Sequence, residues 1–427
     1  MDRRHVLSLL AASAAHPLGF PSSGGGSLQQ SGAASFPALR QRIGGHPLTY
    51  LDSAATTLRP QAVIDALAEF YATDNANPAP VHTLARRAAS RLTAARQTVA
   101  RFINAPSPNE VVFTRGTTEG INLIASTWGA ANFRAGDEVI LTIAEHNSNL
   151  LPWTRAARQA GATVRVVDVD DDGMLRLDHL KQLITSKTRL VAFSHVSNVL
   201  GLVNPAKEIC AVARQAGARV VIDGAQSAPH VSIDVQDLGC DFYVFSGHKM
   251  LGPMAIGAVW GRLELLESMP AYHVGSNMAH EADFERAAME HGALKFQAGT
   301  PDVAGPVGLA AAIGVLTAIG KDAMWRHDQD LVRHGLARLR EVKGLRIIGS
   351  SSVPNRVPVF TFAMAGKSPL AIAAAMDAKG IAIRAGDMAA LPLLKRFGVS
   401  EAARASAYVY STTADIDRLV DALVELG

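Results

Sequence analysis

The sequence predicts an α/β fold with a mainly parallel central sheet and a smaller α+β region behind it, and three observations carry that expectation. From about residue 110, short β-rich runs (EVVFTRG, DEVILTI, ATVRVVDVD, TRLVAFSHV, ARVVIDGA and CDFYVFSG) alternate with helical stretches. Strands separated by helical lengths imply parallel βαβ units. The runs are apolar almost throughout, as helices on both faces of a sheet require. Polar, glycine-containing motifs follow the strands directly (RGTTEG, AEHNSN, HVSNVLG, DGAQ and SGHK), and ligands of such sheets collect at strand carboxyl ends.

Taken in chain order, residues 1–35 stand apart. Arg3 and Arg4 precede the short apolar run Val6–Ala15 and a Gly/Ser-rich tract, which reads as a twin-arginine export leader with a flexible linker. The run is too short to span a membrane. Asp2 replaces the Ser or Thr usual before the pair, so a disordered N-terminus whose arginines carry no meaning is the competing reading, and the location stays open between exported (periplasmic) and cytoplasmic. Residues 36–55 form an N-terminal segment expected to pack with the small domain. Residues 56–310 form the large ligand-binding domain. Residues 311–427 form the small C-terminal domain, which begins within the helical stretch GPVGLAAAIGVLTAIG, continues through RVPVFTFAM and IAIRAG, and ends in DIDRLVDALVEL.

Composition narrows the function classes. The chain has 427 residues, 48% hydrophobic and 19% charged, enough for a large domain and a smaller one. Its 41 basic and 38 acidic residues are interspersed, with no basic block to suggest nucleic acid, so a small-molecule ligand is expected. The two cysteines, Cys210 and Cys240, have neither disulfide-framework nor zinc-site spacing and read as buried apolar residues. A metal hydrolase using His146, His195 and His248 lacks any HExxH-like spacing, so no metal is expected.

The strand-end motifs combine as chemistry. VVIDGAQ ends a buried strand with Asp223, a carboxylate that needs a cationic or hydrogen-bonding partner. FSGHK places Lys249 at the end of the next strand, where desolvation can make a lysine a neutral nucleophile. FTRGTTEGIN opens a helix at Gly116, Thr117 and Thr118, an anion cradle of amides and hydroxyls. Each motif alone is weak, because a strand-end Asp is commonly a cap and GTT commonly a turn. An amine for an aldehyde, a carboxylate for a ring nitrogen and a cradle for a phosphate together fit pyridoxal 5′-phosphate. His146 of AEHNSN either stacks on the pyridine ring or is a satisfied structural histidine.

With these motifs in place, the segment from YLDSAATT (50–57) through STTADIDRLV (411–420) resembles the class V aminotransferase family of fold-type I pyridoxal-phosphate enzymes, in its cysteine desulfurase and selenocysteine lyase branch. The resemblance implies that Lys249 is the Schiff-base lysine, that Asp223 pairs with the pyridine nitrogen, that Gln226 bonds the phenolic oxygen and that His146 stacks on the ring. It implies phosphate contacts from Thr117, Thr118, Ser246 and His248, with Thr300 of AGTPD reaching across from the second subunit of a homodimer. Asn198 and Arg404 would fix the carboxylate of an amino-acid substrate. Arg384 would line the substrate's other end, with His82 nearby. One departure stands out: desulfurases of this branch carry a sulfur-accepting cysteine in a segment like R-x-G-x-x-C-A-x-P, and here RAGDMAALP has Ala389 in its place. The expected activity is therefore a C–S (β-elimination) lyase acting on a cysteine derivative without a persulfide-forming cysteine. Epimerisation or transamination by the same residues, and a catalytically inactive binding protein on this fold, are the alternatives.

Overall fold

Alternation of apolar strands with helices produces a seven-stranded central sheet in the computed structural model, which describes residues 35–352 and 354–427. The expected leader, except Ser35, lies outside the described residues. In chain order the strands are β1 (Val111–Thr114), β2 (Glu138–Thr142), β3 (Thr163–Val167), β4 (Thr188–Ser194), β5 (Arg219–Asp223), β6 (Phe242–Ser246) and β7 (Gly257–Gly261). They lie in the order β1-β7-β6-β5-β4-β2-β3. The pairs β3/β2, β2/β4, β4/β5 and β5/β6 are parallel.

Strand β7 is the element that sequence patterning passes over. It runs antiparallel to both β6 and β1, because the chain reverses tightly after the lysine-bearing turn instead of crossing over through a helix. Its register sets Gly257 opposite Ser246 on one side and Thr114 on the other. A Cβ at Gly257 would lie 2.4 Å from the Phe245 carbonyl oxygen and 2.6 Å from Gly116 Cα. Only glycine permits that approach, which brings the turn after β1 beside the end of β6.

Strands β2 and β6 are buried at every position. Apolar side chains on the two sheet faces enter separate clusters, one containing Val191, Phe193, Val220 and Ile222 and the other Val139, Leu141, Val221 and Val244. The alternation follows from the two-residue period of a strand covered on both faces. Helix Ala304–Ile319 packs against helices Gln61–Thr73 and Thr83–Phe102. The division expected at 310/311 falls inside this continuous helix, which ends at Gly320, before helix Lys321–Leu339.

A second, antiparallel sheet follows, made of β8 (Leu345–Ile347), β9 (Val359–Met364), β10 (Arg384–Gly386) and β11 (Ala402–Ser406) in the order β8-β9-β11-β10. Its core joins Phe360 and Phe362 to Leu331 and Leu336 of helix Lys321–Leu339 and to Leu419 and Leu423 of the last helix, Thr413–Leu426. That last helix starts in a reciprocal capping box between Thr412 and Asp415. The N-terminal segment adds to this layer: Thr49–Tyr50 pairs in parallel with Ile381–Ala382, and Leu51 enters the same core. Among the described residues no single helix is long and apolar enough to cross a membrane.

Candidate active site

The carboxyl ends of β4, β5 and β6 and the turn after β1 open into a cavity of about 440 Å³, closed on its far side by the segment Arg384–Ala389 of the second sheet. β5 delivers Asp223 to its floor, 4% exposed, with Oδ1 accepting the Ala225 amide at 2.9 Å. Burial raises the Asp223 pKa, while the Ala225 amide and the Lys249 charge oppose the rise. β6 ends at Ser246, and the single turn Gly247–Lys249 aims the lysine into the cavity. Desolvation pulls the Lys249 amine down to about 8, with Asp223 opposing and Arg404 adding to the fall. A substantial neutral fraction near neutral to mildly basic pH follows, the state that a nucleophile or base requires.

The anion cradle lies where β1 meets helix Thr117–Ile124. Gly116 has φ +140° and ψ −177°, a region essentially closed to other residues. Ser246 Oγ accepts the Thr117 amide at 2.8 Å and lies 2.8 Å from Thr117 Oγ1. Thr118 Oγ1 bonds Ser148 Oγ at 2.8 Å, and Ser148 links onward to His146. The Ser148 amide donates to His146 Nδ1 at 3.1 Å, so a neutral ring carries its proton on Nε2. Burial, then the Lys249 and Arg404 charges, lowers the His146 pKa to about 4, and burial with Lys249 and Arg59 does the same for His248. Both imidazoles are therefore neutral at physiological pH. A neutral ring suits stacking better than a second buried cation would.

Gln226 donates from Nε2 to the Ala54 carbonyl oxygen at 2.7 Å, leaving its second amide N–H for a ligand acceptor. Asn198 donates from Nδ2 to Met388 O, and Arg404 donates from Nη1 to Asn198 O, each at 2.9 Å. Arg404 is 3% exposed, and its Nε has no protein partner. Arg384 is committed elsewhere: it grips Asp52 through Nη2 to Oδ2 at 2.6 Å and Nε to Oδ1 at 3.3 Å. Ala389 lies in the cavity wall in left-handed conformation (φ +52°), its amide bonded to Asp387 Oδ1 and its carbonyl to the Asn147 amide.

Eleven of the sequence-predicted residues thus line one cavity, and two do not. His82 is exposed, and its Nδ1 accepts the Ala85 amide at 3.3 Å to cap helix Thr83–Phe102. The expectation that His82 stands near the substrate therefore does not hold within one chain. Thr300 is exposed and lies outside its own chain's cavity.

Tertiary structure adds residues that sequence reading did not single out. Asp52 stands between the two arginines. Glu145, 1% exposed, accepts Thr142 Oγ1, Asn149 Nδ2 and both the amide and hydroxyl of Ser194. It thereby ties the His146 turn to the end of β4. Burial pushes the Glu145 pKa up to about 7 against those hydrogen bonds. Its only signal in the sequence is its place in AEHNSN, directly before His146.

The residues present fit pyridoxal phosphate. A glycine cradle that a Cβ would crowd onto Ser246 Oγ at 3.1 Å can take a phosphate. Asp223, 4% exposed on the cavity floor, can accept from a protonated ring nitrogen, and Lys249 can meet an aldehyde. Residues 49–419 match the family described as aminotransferase class-V. The chain belongs to this family. It is 44% identical to a probable cysteine desulfurase of Halalkalibacterium halodurans over 389 residues, 91% of this chain and 95% of that protein. It is 43% identical to a cysteine desulfurase of Synechococcus elongatus over 91% of its own length, and spans 62% of that relative. The Escherichia coli cysteine desulfurase CsdA, solved as an S-sulfonic acid, superposes with a TM-score of 0.85 at 38% identity, covering 92% of this chain and 97% of that one. The architecture is that of fold-type I pyridoxal-phosphate enzymes, and the chain is a pyridoxal-phosphate-dependent, cysteine desulfurase-like member of the family.

Proposed function

We propose that the protein cleaves the C–S bond of a cysteine derivative by β-elimination and does not hold the released sulfur as a protein persulfide. The observation that carries this reading is the absence of a thiol from the cavity wall. Ala389 lines the cavity, and the chain's two cysteines, Cys210 and Cys240, are both 0% exposed in the core beneath the sheet. Burial pushes the Cys210 thiol up to about 12 and that of Cys240 well above its ordinary value. Thiols so protonated and enclosed are inert toward substrate sulfur.

When bound, the cofactor supplies the electron sink that reaction at an amino acid's α-carbon requires. The chain's own residues do the rest. Thr117, Ser246 and the Gly116 turn would hold the phosphate, with Thr118 and His248 beside them. His146 would cover the ring, Gln226 would offer an N–H to its phenolic oxygen, and Asp223 would keep a proton on its nitrogen. Arg404, with Asn198 behind it, holds the substrate carboxylate. Lys249 Nζ takes the α-proton; the C–H electron pair becomes the new C=C bond, and the C–S pair departs with sulfur. The aminoacrylate so formed hydrolyses to pyruvate and ammonium. Thr300 would complete the site from the partner in a homodimer. Export by a twin-arginine leader belongs to the same proposal, since such a route carries proteins already folded around a cofactor.

The test compares wild type with Ala389→Cys. Wild type should release pyruvate from cystine or a cysteine sulfoxide conjugate and form no protein-bound persulfide from cysteine, whereas Ala389→Cys should gain persulfide. Persulfide on wild type at the level of the variant would overturn the reading. So would exchange of the α-proton with solvent deuterium without any pyruvate, which marks an epimerase or aminotransferase.

A further inference from the structure

Asp52 is a fixed carboxylate paired with two arginines that line the cavity, Arg384 and Arg404. Its segment is bound to β11 by an isolated bridge with Ser406, by Ser53 N to Ser406 O at 3.1 Å and by Ser406 N to Leu51 O at 2.7 Å. Asp52 is 8% exposed. Both of its oxygens face arginine: Arg384 takes it in a two-point grip, and Arg404 Nη2 lies 3.5 Å from Oδ1. The two arginines differ in freedom. The Arg404 side chain is 4% exposed and pinned through Nη1 to Asn198 O, whereas that of Arg384 is 48% exposed and able to swing.

We infer that Asp52 is a specificity-determining residue, an internal counter-ion that competes with a substrate's distal anionic group for Arg384. The inference rests on reading this cavity as the site of a cysteine derivative. A substrate carrying only its α-carboxylate binds at Arg404 and leaves the Arg384–Asp52 pair closed. A substrate with a second carboxylate on the leaving side must displace Asp52 to reach Arg384, exchanging one charge-assisted pair for another. Its net gain is small, and the displaced Asp52 then faces the incoming charge. In this enzyme the distal arginine therefore does not select for distal anions, and Asp52 is the reason.

The test uses the cofactor-loaded protein and two ligands of nearly equal shape, S-carboxymethyl-L-cysteine and the neutral S-carbamoylmethyl-L-cysteine. Dissociation constants are read from the change in the cofactor's absorption before product forms, so the outcome does not depend on whether pyruvate follows. Asp52→Asn should tighten the anionic ligand about tenfold relative to the neutral one. Arg384→Gln, a change at a half-exposed side chain, should shift the ratio the other way by leaving Asp52 to repel the anion. The double variant should lose the gain of Asp52→Asn. An unchanged ratio in both single variants overturns the inference, as does a gain that persists without Arg384, or failure of both ligands to bind any form. Should Asp52→Asn not fold, an unchanged ratio in Arg384→Gln suffices to overturn it.

Discussion

Gly116→Ala is the sharpest probe of the cofactor cradle, because its cost can be worked from two separate contributions. At φ +140° and ψ −177°, a side chain costs about 1–3 kcal/mol in backbone strain. The new Cβ would also lie 3.1 Å from Ser246 Oγ, and that oxygen bonds both the amide and the hydroxyl of Thr117 at 2.8 Å. Displacing Ser246 loosens bonds worth about 1 kcal/mol each. Together these give about 3–5 kcal/mol, which expressed at the site is a loss of roughly 100- to 4000-fold in pyridoxal phosphate affinity. The assay is a fluorescence or absorbance titration of cofactor-free protein with pyridoxal phosphate. Gly45→Ala is the control for strain alone: φ is +83°, and nothing lies within 4 Å of the added Cβ. It should leave cofactor affinity unchanged. Equal affinity of Gly116→Ala and wild type, or equal losses in the two variants, would refute the cradle.

Lys249→Ala should bind pyridoxal phosphate without a borohydride-reducible link and lose elimination activity by roughly 10²–10⁴-fold, as removal of a positioned base does; peptide mapping after reduction and pyruvate assays check both. Glu145 has a folded pKa raised from 4.5 to about 7, so the folded state binds more protons than the unfolded state between those values. The stability this group contributes is full below about 4.5 and is lost as pH rises through about 7, on the order of 3 kcal/mol. The difference in thermal midpoint between wild type and Glu145→Gln should accordingly fall between pH 5 and pH 8, and a constant difference would refute the assignment. Sedimentation should show a dimer, with Thr300→Val weakening cofactor binding; a monomer with full cofactor affinity would remove the composite site.

The parts of the site legible in the sequence are those made by neighbours along the chain. Asp223, Ser246 and Lys249 were readable because an apolar strand ending in a polar residue announces both the strand and the direction of that side chain. Thr117 and Thr118 were readable because a glycine before a helix start implies exposed amides. Strand β7 was not, since GAVWG has no helix before it and the other six β-rich runs already alternate with helices. The expected boundary at 310/311 falls within a helix because small apolar residues continue through Ala304–Ile319 without a break until Gly320.

The sequence by itself determined the α/β class, the strand-end polar residues that line the cavity and the alanine at position 389, all of which follow from local pattern and residue identity. Tertiary structure alone decided the charge pairing of the substrate end. Asp52 and Arg384 are 332 positions apart, and nothing in the composition of either segment marks them as partners. They meet because Thr49–Tyr50 adds to Ile381–Ala382 as a parallel pair and the next residue, Leu51, is drawn into the second core. Burial of that leucine and the backbone bonds around it place the adjacent carboxylate where the arginines converge. Hydrophobic packing and hydrogen bonding of the chain outside the site thus set the electrostatics within it.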